Sequence, residues 1–143
     1  MAVKTFKQLL EEVEYNPNHP DPKHHEAEFH RRVAKYWPHG AIVFHEAPGH
    51  VASSIRKKGI EGEYGIFATI GQPSGFVSGK KTVATFRVPP EHNHPDMIQP
   101  DMRYYAKNPH RDLLKQHPDL DGADININTN KIPPSKVTFL HEE

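Results

Sequence analysis

The chain has 143 residues, which is the usual size of one domain. Eighteen Lys and Arg residues balance eighteen Asp and Glu residues, so no overall basic charge exists to attract nucleic acid or anionic lipid. Cysteine is absent, which excludes disulfides and thiolate zinc sites. The sequence contains no apolar stretch of signal-peptide or membrane-span length. We therefore expect one domain over residues 1–143, a cytoplasmic location and no membrane partner.

The N-terminal part is predicted to be helical. Apolar residues at helical spacing indicate a first amphipathic helix over 6–13, with Thr5 as its N-cap. A second helix is predicted over 23–37, because its aromatic and aliphatic residues share one face. This pattern predicts a helical part over 1–38, followed by an α+β core over 41–143.

The remainder of the chain alternates short apolar runs with turns. A third helix is predicted over 50–58 with Gly59 as its C-cap, and 89–123 is predicted to be irregular apart from one helical turn over 112–116. The predicted strands are 41–45, 64–70, 82–88, 124–130 and 136–140. This order favours an α+β fold in which two N-terminal helices precede a mainly antiparallel sheet.

The central unit reads IVFHEAPGHVASSIRKKGI, followed closely by GEYGIFATIG. It predicts a buried strand that ends in His45 at the rim of the sheet, a tight turn, a helix and a second strand. The backbone N–H groups of that helix would suit an anion such as a pyrophosphate. His45 would then hydrogen-bond a ribose hydroxyl, although a bond to a neighbouring carbonyl explains a strand-end histidine equally well.

This arrangement of strand, histidine, turn, helix and glycine before YGIFAT resembles the N-terminal half of mono-ADP-ribosyltransferase domains. The resemblance is to the small, histidine-bearing domains found in toxins and phage proteins. The closing segment ADININTNKIPPSKVTFL resembles their last pair of strands. Together these segments cover about 41–70 and 121–140. The resemblance implies a split antiparallel sheet, NAD as the bound substrate, and transfer of ADP-ribose to a macromolecular acceptor.

The resemblance also implies roles for individual residues. His45 would orient the ribose beside nicotinamide, and Glu46 lies next to it. Tyr64, Phe67 and Thr69 would line the nicotinamide pocket. A carboxylate on the late strand would stabilise the ribose cation that develops as nicotinamide leaves, because a fixed negative charge in a dry cleft acts strongly on such a cation.

The sequence departs from the family pattern at that carboxylate. The expected glutamate is absent from ADININTN, and the nearest acids are Asp124 and Asp121. An aspartate is one methylene shorter, and a misplacement of about 1 Å costs a factor of about 100 in rate. Either aspartate serves, or Glu46 serves, or the domain is a non-catalytic binding or inhibitor protein.

A metal-independent ribonuclease of the microbial toxin type is the alternative enzyme. Two helices before an antiparallel sheet also fit such an enzyme, which needs a general base, a general acid and cations at the phosphate. The residues that would provide these groups are His45, His50, Arg56, Lys80, Lys81, Arg87, His92 and His110.

No metal site is predicted. The segment HEAPGH is one residue longer than the HExxH motif, and Pro48-Gly49 breaks any helix that would run through it.

Overall fold

The structure is a computed structural model that describes residues 14–73, 75, 79–105 and 107–141. The helix predicted over 6–13 therefore lies outside the described residues. The described part contains three α-helices, α1 (Pro22–Tyr36), α2 (Ala52–Lys58) and α3 (Pro109–Gln116). Its strands are β1 (Ala41–Pro48), β2 (Ile60–Glu61), β3 (Ile66–Ile70), β4 (Lys81–Val88), β5 (Ile98–Pro100), β6 (Ala123–Ile127), β7 (Lys131–Ile132) and β8 (Thr138–His141).

Side-chain capping and a proline explain where helix α1 begins. The Asp21 side chain accepts a hydrogen bond from the backbone N–H of Lys23 at 3.0 Å, and Pro22 occupies the first turn, where its missing N–H costs nothing. Phe29 and Val33 lie one turn apart and are buried. The prediction of a helix over 23–37 is confirmed to within one residue at each end.

Six strands form one sheet in the order β5-β6-β3-β1-β4-β8, and every neighbouring pair is antiparallel. Strands β2 and β7 pair separately. The prediction of an α+β fold with a mainly antiparallel sheet is therefore confirmed. None of the helices in the described part is long and apolar enough to cross a bilayer.

The two faces of the sheet differ in character. Val43 lies opposite Ile70 on one side and Phe86 on the other, and all three are buried. Side chains opposite one another in antiparallel strands share a face, so these residues define the core face, which packs with α1 and α3. The next row contains Phe44 and Thr69 and belongs to the other face.

Strand β1 is longer than predicted, which changes the place of His45. The predicted strand over 41–45 ends in His45, whereas the observed strand continues to Pro48. It continues because β4 pairs with β1 over all eight residues. His45 therefore lies inside a strand, and the prediction that it ends the strand is wrong.

The region 89–123 is more ordered than predicted. It contains β5, which pairs with β6, and α3, which begins at Pro109 rather than at residue 112. Strand β5 has only three residues and ends in proline, so no alternation was long enough to reveal it. Pro109 reads as a helix breaker, yet it occupies the first helical turn, where proline is tolerated.

Helices α1 and α3 meet at a pair of histidines. The His30 ring donates from Nδ1 to Oδ1 of Asn93 at 2.8 Å, and Asn93 donates from Nδ2 to the His30 carbonyl at 2.9 Å. Nε2 of His30 and Nε2 of His110 are buried without a hydrogen-bond partner among the described residues. Burial lowers the pKa of both rings, and lowers that of His110 from 6.5 to about 4 with a further contribution from His30.

The His110 pKa predicts a stability loss in acid. The unfolded chain binds this proton near pH 6.5 and the folded protein only near pH 4, so the free energy of unfolding falls as the pH drops through that window. After allowance for partial exposure of the ring, we expect a loss on the order of 2 kcal/mol. Urea unfolding of His110→Gln between pH 7 and pH 4 should show a shallower decline than wild type. The exposed-residue control His39→Gln should follow wild type, and equal slopes for all three proteins would contradict the assignment.

Candidate functional site

Five of the predicted site residues line one cavity of about 170 Å³ on the non-core side of the sheet. We call it the central cavity, and these five residues are His45, Glu46, Phe67, Thr69 and Asp124. The cavity is completed by Phe44, Ala68, Asp101, Arg103 and Tyr104. Strands β1, β3 and β6 and the segment after β5 thus converge on it.

His45 reaches the cavity because β1 and β3 separate beside it. The two strands pair only at Val43 with Ile70 and at Phe44 with Thr69. At the next position the backbone ladder has ended, and the imidazole Nδ1 lies 2.8 Å from the Phe67 carbonyl oxygen. A carbonyl only accepts, so Nδ1 carries the proton and Nε2 of the neutral ring is a hydrogen-bond acceptor.

Asp124 lies on β6 directly opposite Thr69 of β3. Burial raises the pKa of the Asp124 carboxyl, the nearby Asp101 raises it further, and His117 and Arg103 lower it. No ion pair or side-chain hydrogen bond holds this carboxylate within the part of the chain that the structure describes. A half-buried carboxylate without a partner is costly and is therefore available to a cation.

Asp101 and Arg103 form an ion pair at the cavity wall. Asp101 is 2% exposed, and its carboxylate accepts from Nε of Arg103 at 3.0 Å and from Nη2 at 2.7 Å. The guanidinium also lies 3.9 Å from the centre of the Phe67 ring. Two-point binding to a carboxylate and stacking on an aromatic ring together fix the guanidinium.

Two further cavities adjoin the central one. The first has a volume of about 380 Å³ and shares Phe67, Asp101 and Arg103 with it. The second has a volume of about 360 Å³ and shares Tyr104 and Asp124 with it. We call the three cavities together the groove.

The remaining predicted residues lie elsewhere in or beside the groove. Tyr64 is 80% exposed and lines the first adjoining cavity, whereas Asp121 lines the second. Neither lines the central cavity. Tyr64 shares the first adjoining cavity with Phe67, whereas Asp121 and His45 share none of the three cavities. Glu46 does line it and forms an ion pair with Lys81 at 3.1 Å.

Helix α2 does not contribute to this site. None of the residues 49–58 lines any of the three cavities, so the predicted anion site at its N-terminus is not at the groove. Instead, the guanidinium of Arg103 is the one Lys or Arg side chain of the described residues that lines the groove.

The residues proposed for a ribonuclease do not converge. Of these residues His45 alone lines the central cavity, and Lys81 borders it through its ion pair with Glu46. Arg87 and His92 line a different cavity. His110 packs against Phe29, and the Arg56 guanidinium stacks on the Phe139 ring.

Asp101, Arg103 and Tyr104 were not predicted from the sequence. The signal that singled out His45, a polar residue after a short apolar strand, also exists at Asp101, which directly follows β5. Because β5 is short and ends in Pro100, the sequence pattern does not predict it as a strand.

The described residues contain no group of three or more potential metal ligands.

Comparison of the chain with protein-family models, curated proteins and solved structures finds no match.

The charges around Asp124 predict that two substitutions, each replacing a charged side chain by a neutral one, shift its pKa in opposite directions. Arg103→Gln removes a cation that lowers it, so the pKa should rise. Asp101→Asn removes an anion that raises it, so the pKa should fall. Carboxyl ¹³C chemical shifts followed against pH would measure both changes. The carboxyl of exposed Asp119 is the internal reference, and a shift of Asp124 in the same direction in both variants would refute this arrangement.

Proposed function

We propose that this protein binds NAD in the groove and transfers its ADP-ribose to a macromolecular acceptor. The observation that carries the proposal is the unpaired, half-buried carboxylate of Asp124 in the same cavity as His45 and Phe67. These residues come from three different strands.

The charges of the groove favour a substrate that becomes more positive during reaction. Asp101 is paired with Arg103, and Glu46 with Lys81, which leaves Asp124 as the carboxylate without an ion-pair partner among the described residues that line the central cavity. Its field stabilises the ribose cation that develops when NAD is cleaved, whereas the reacting phosphate of RNA becomes more negative during cleavage and gains no such stabilisation. This distinction favours the transferase over a ribonuclease.

The proposed reaction has two steps. The bond between ribose C1′ and the nicotinamide nitrogen breaks, and its electron pair neutralises the pyridinium ring. Asp124 stabilises the ribose cation that remains. A nucleophile of the acceptor then bonds to C1′ and releases its proton to solvent or a base. Water in place of the acceptor gives free ADP-ribose.

His45 and Phe67 would position the substrate. Nε2 of the neutral His45 ring accepts a hydrogen bond from a ribose hydroxyl, because Nδ1 is already engaged by the Phe67 carbonyl. The Phe67 ring, with Arg103 stacked on it, provides an aromatic wall for nicotinamide. The adjoining cavities of about 380 and 360 Å³ leave room for the rest of the dinucleotide and for the acceptor.

Asp124→Asn separates binding from chemistry. The amide keeps the size of the side chain but loses its charge, so nicotinamide release from NAD should fall by about 100-fold or more, while the affinity for NAD changes by only a few-fold. Labelled NAD with and without lysate measures release and transfer, and calorimetry measures binding.

The matched control is Asp96→Asn, at an exposed turn residue that lines none of the three cavities. It should behave as wild type. Wild-type protein that neither binds NAD nor releases nicotinamide would overturn the proposal, and binding without release would leave a non-catalytic NAD-binding protein.

A further inference from the structure

A cavity outside the groove lies on the opposite face of the sheet from the central cavity. It has a volume of about 190 Å³ and shares no residue with the central cavity. Phe86 of β4 and Ile127 of β6 line it, and both belong to rows of the core face. Met97 and Ile132 close it from the segments that follow β4 and β6. We call it the basic cavity.

Its walls and its rim have different chemistry. Phe86, Val88 and Ile127 are buried and form an apolar floor. The exposed members of the lining include Arg87, His92, Lys131 and Lys136. No Asp or Glu is among the described residues that line it.

The two lysines of the rim have no acidic partner among the described residues. Neither Lys131 nor Lys136 has a carboxylate at ion-pair distance within the described ranges. Arg87 uses one donor, because Nη1 binds the His39 carbonyl at 3.1 Å. Its other donors and both ammonium groups remain for an anion.

We propose that the basic cavity binds a small amphipathic carboxylate, with its apolar body against Phe86 and Ile127 and its carboxylate at Lys131 and Lys136. A dry apolar cavity of roughly 150 Å³ admits a benzene ring, so a floor of this size accepts one ring or a short acyl chain. Cations without protein partners at one side of an apolar cavity match one terminal anion on such a molecule. This site is independent of the proposed NAD groove.

The methionines provide reporters for the two sites. The chain contains three, of which Met97 lines the basic cavity and Met102 lines the groove. With ¹³C-methyl methionine in the full chain, titration with 3-phenylpropionate should move the Met97 signal to saturation and leave Met102 in place. The neutral analogue 3-phenylpropan-1-ol should bind at least several-fold more weakly.

Paired lysine variants test the anion contact. Lys131→Gln with Lys136→Gln should raise the dissociation constant of 3-phenylpropionate about tenfold, because two charged hydrogen-bond donors are lost. Lys57→Gln with Lys58→Gln removes the same charge from exposed positions on α2 and should leave binding unchanged. The proposal is overturned if Met97 does not respond, if Met102 responds in parallel, if the alcohol binds as tightly, or if both double variants weaken binding equally.

Discussion

The hydrogen bond between the His45 ring and the Phe67 carbonyl lies where β1 and β3 separate. β1 continues beside β4 and β3 continues beside β6, so a gap opens in the middle of an otherwise continuous sheet. The imidazole satisfies a carbonyl that the ended ladder has left without a strand partner. The same bond sets the tautomer and the orientation of the ring that faces the central cavity.

Charge pairing leaves one carboxylate of the central cavity without an ion-pair partner among the described residues. Of the three carboxylates among the described residues that line it, Asp101 is paired with Arg103 and Glu46 with Lys81. The opposite charges within each pair largely cancel one another at a distance. Asp124 remains, with a pKa raised by burial and by Asp101. A carboxylate in this position stabilises a cation that develops beside it, as the proposed cleavage of the bond between ribose and nicotinamide in NAD requires.

Local sequence patterns located the strands but could not give their neighbours. Apolar alternation predicts the strands that carry His45, Phe67 and Asp124, and the family resemblance groups these residues at one site. Strand length and register depend on pairing between distant segments, which is why His45 was placed at a strand end. Asp101 and Arg103 escaped prediction for the same reason, since β5 is recognisable as a strand only through its pairing with β6.

The tautomer of His45 tests this account most directly. The ring-nitrogen chemical shifts of ¹⁵N-labelled protein, measured on the neutral ring, distinguish a protonated Nδ1 from a protonated Nε2. The bond to Phe67 predicts a proton on Nδ1 and a lone pair on Nε2, the reverse of the form that predominates for histidine in water. A proton on Nε2 would show that the ring does not bind the Phe67 carbonyl, and the proposed contact between Nε2 and a ribose hydroxyl would then lose its basis.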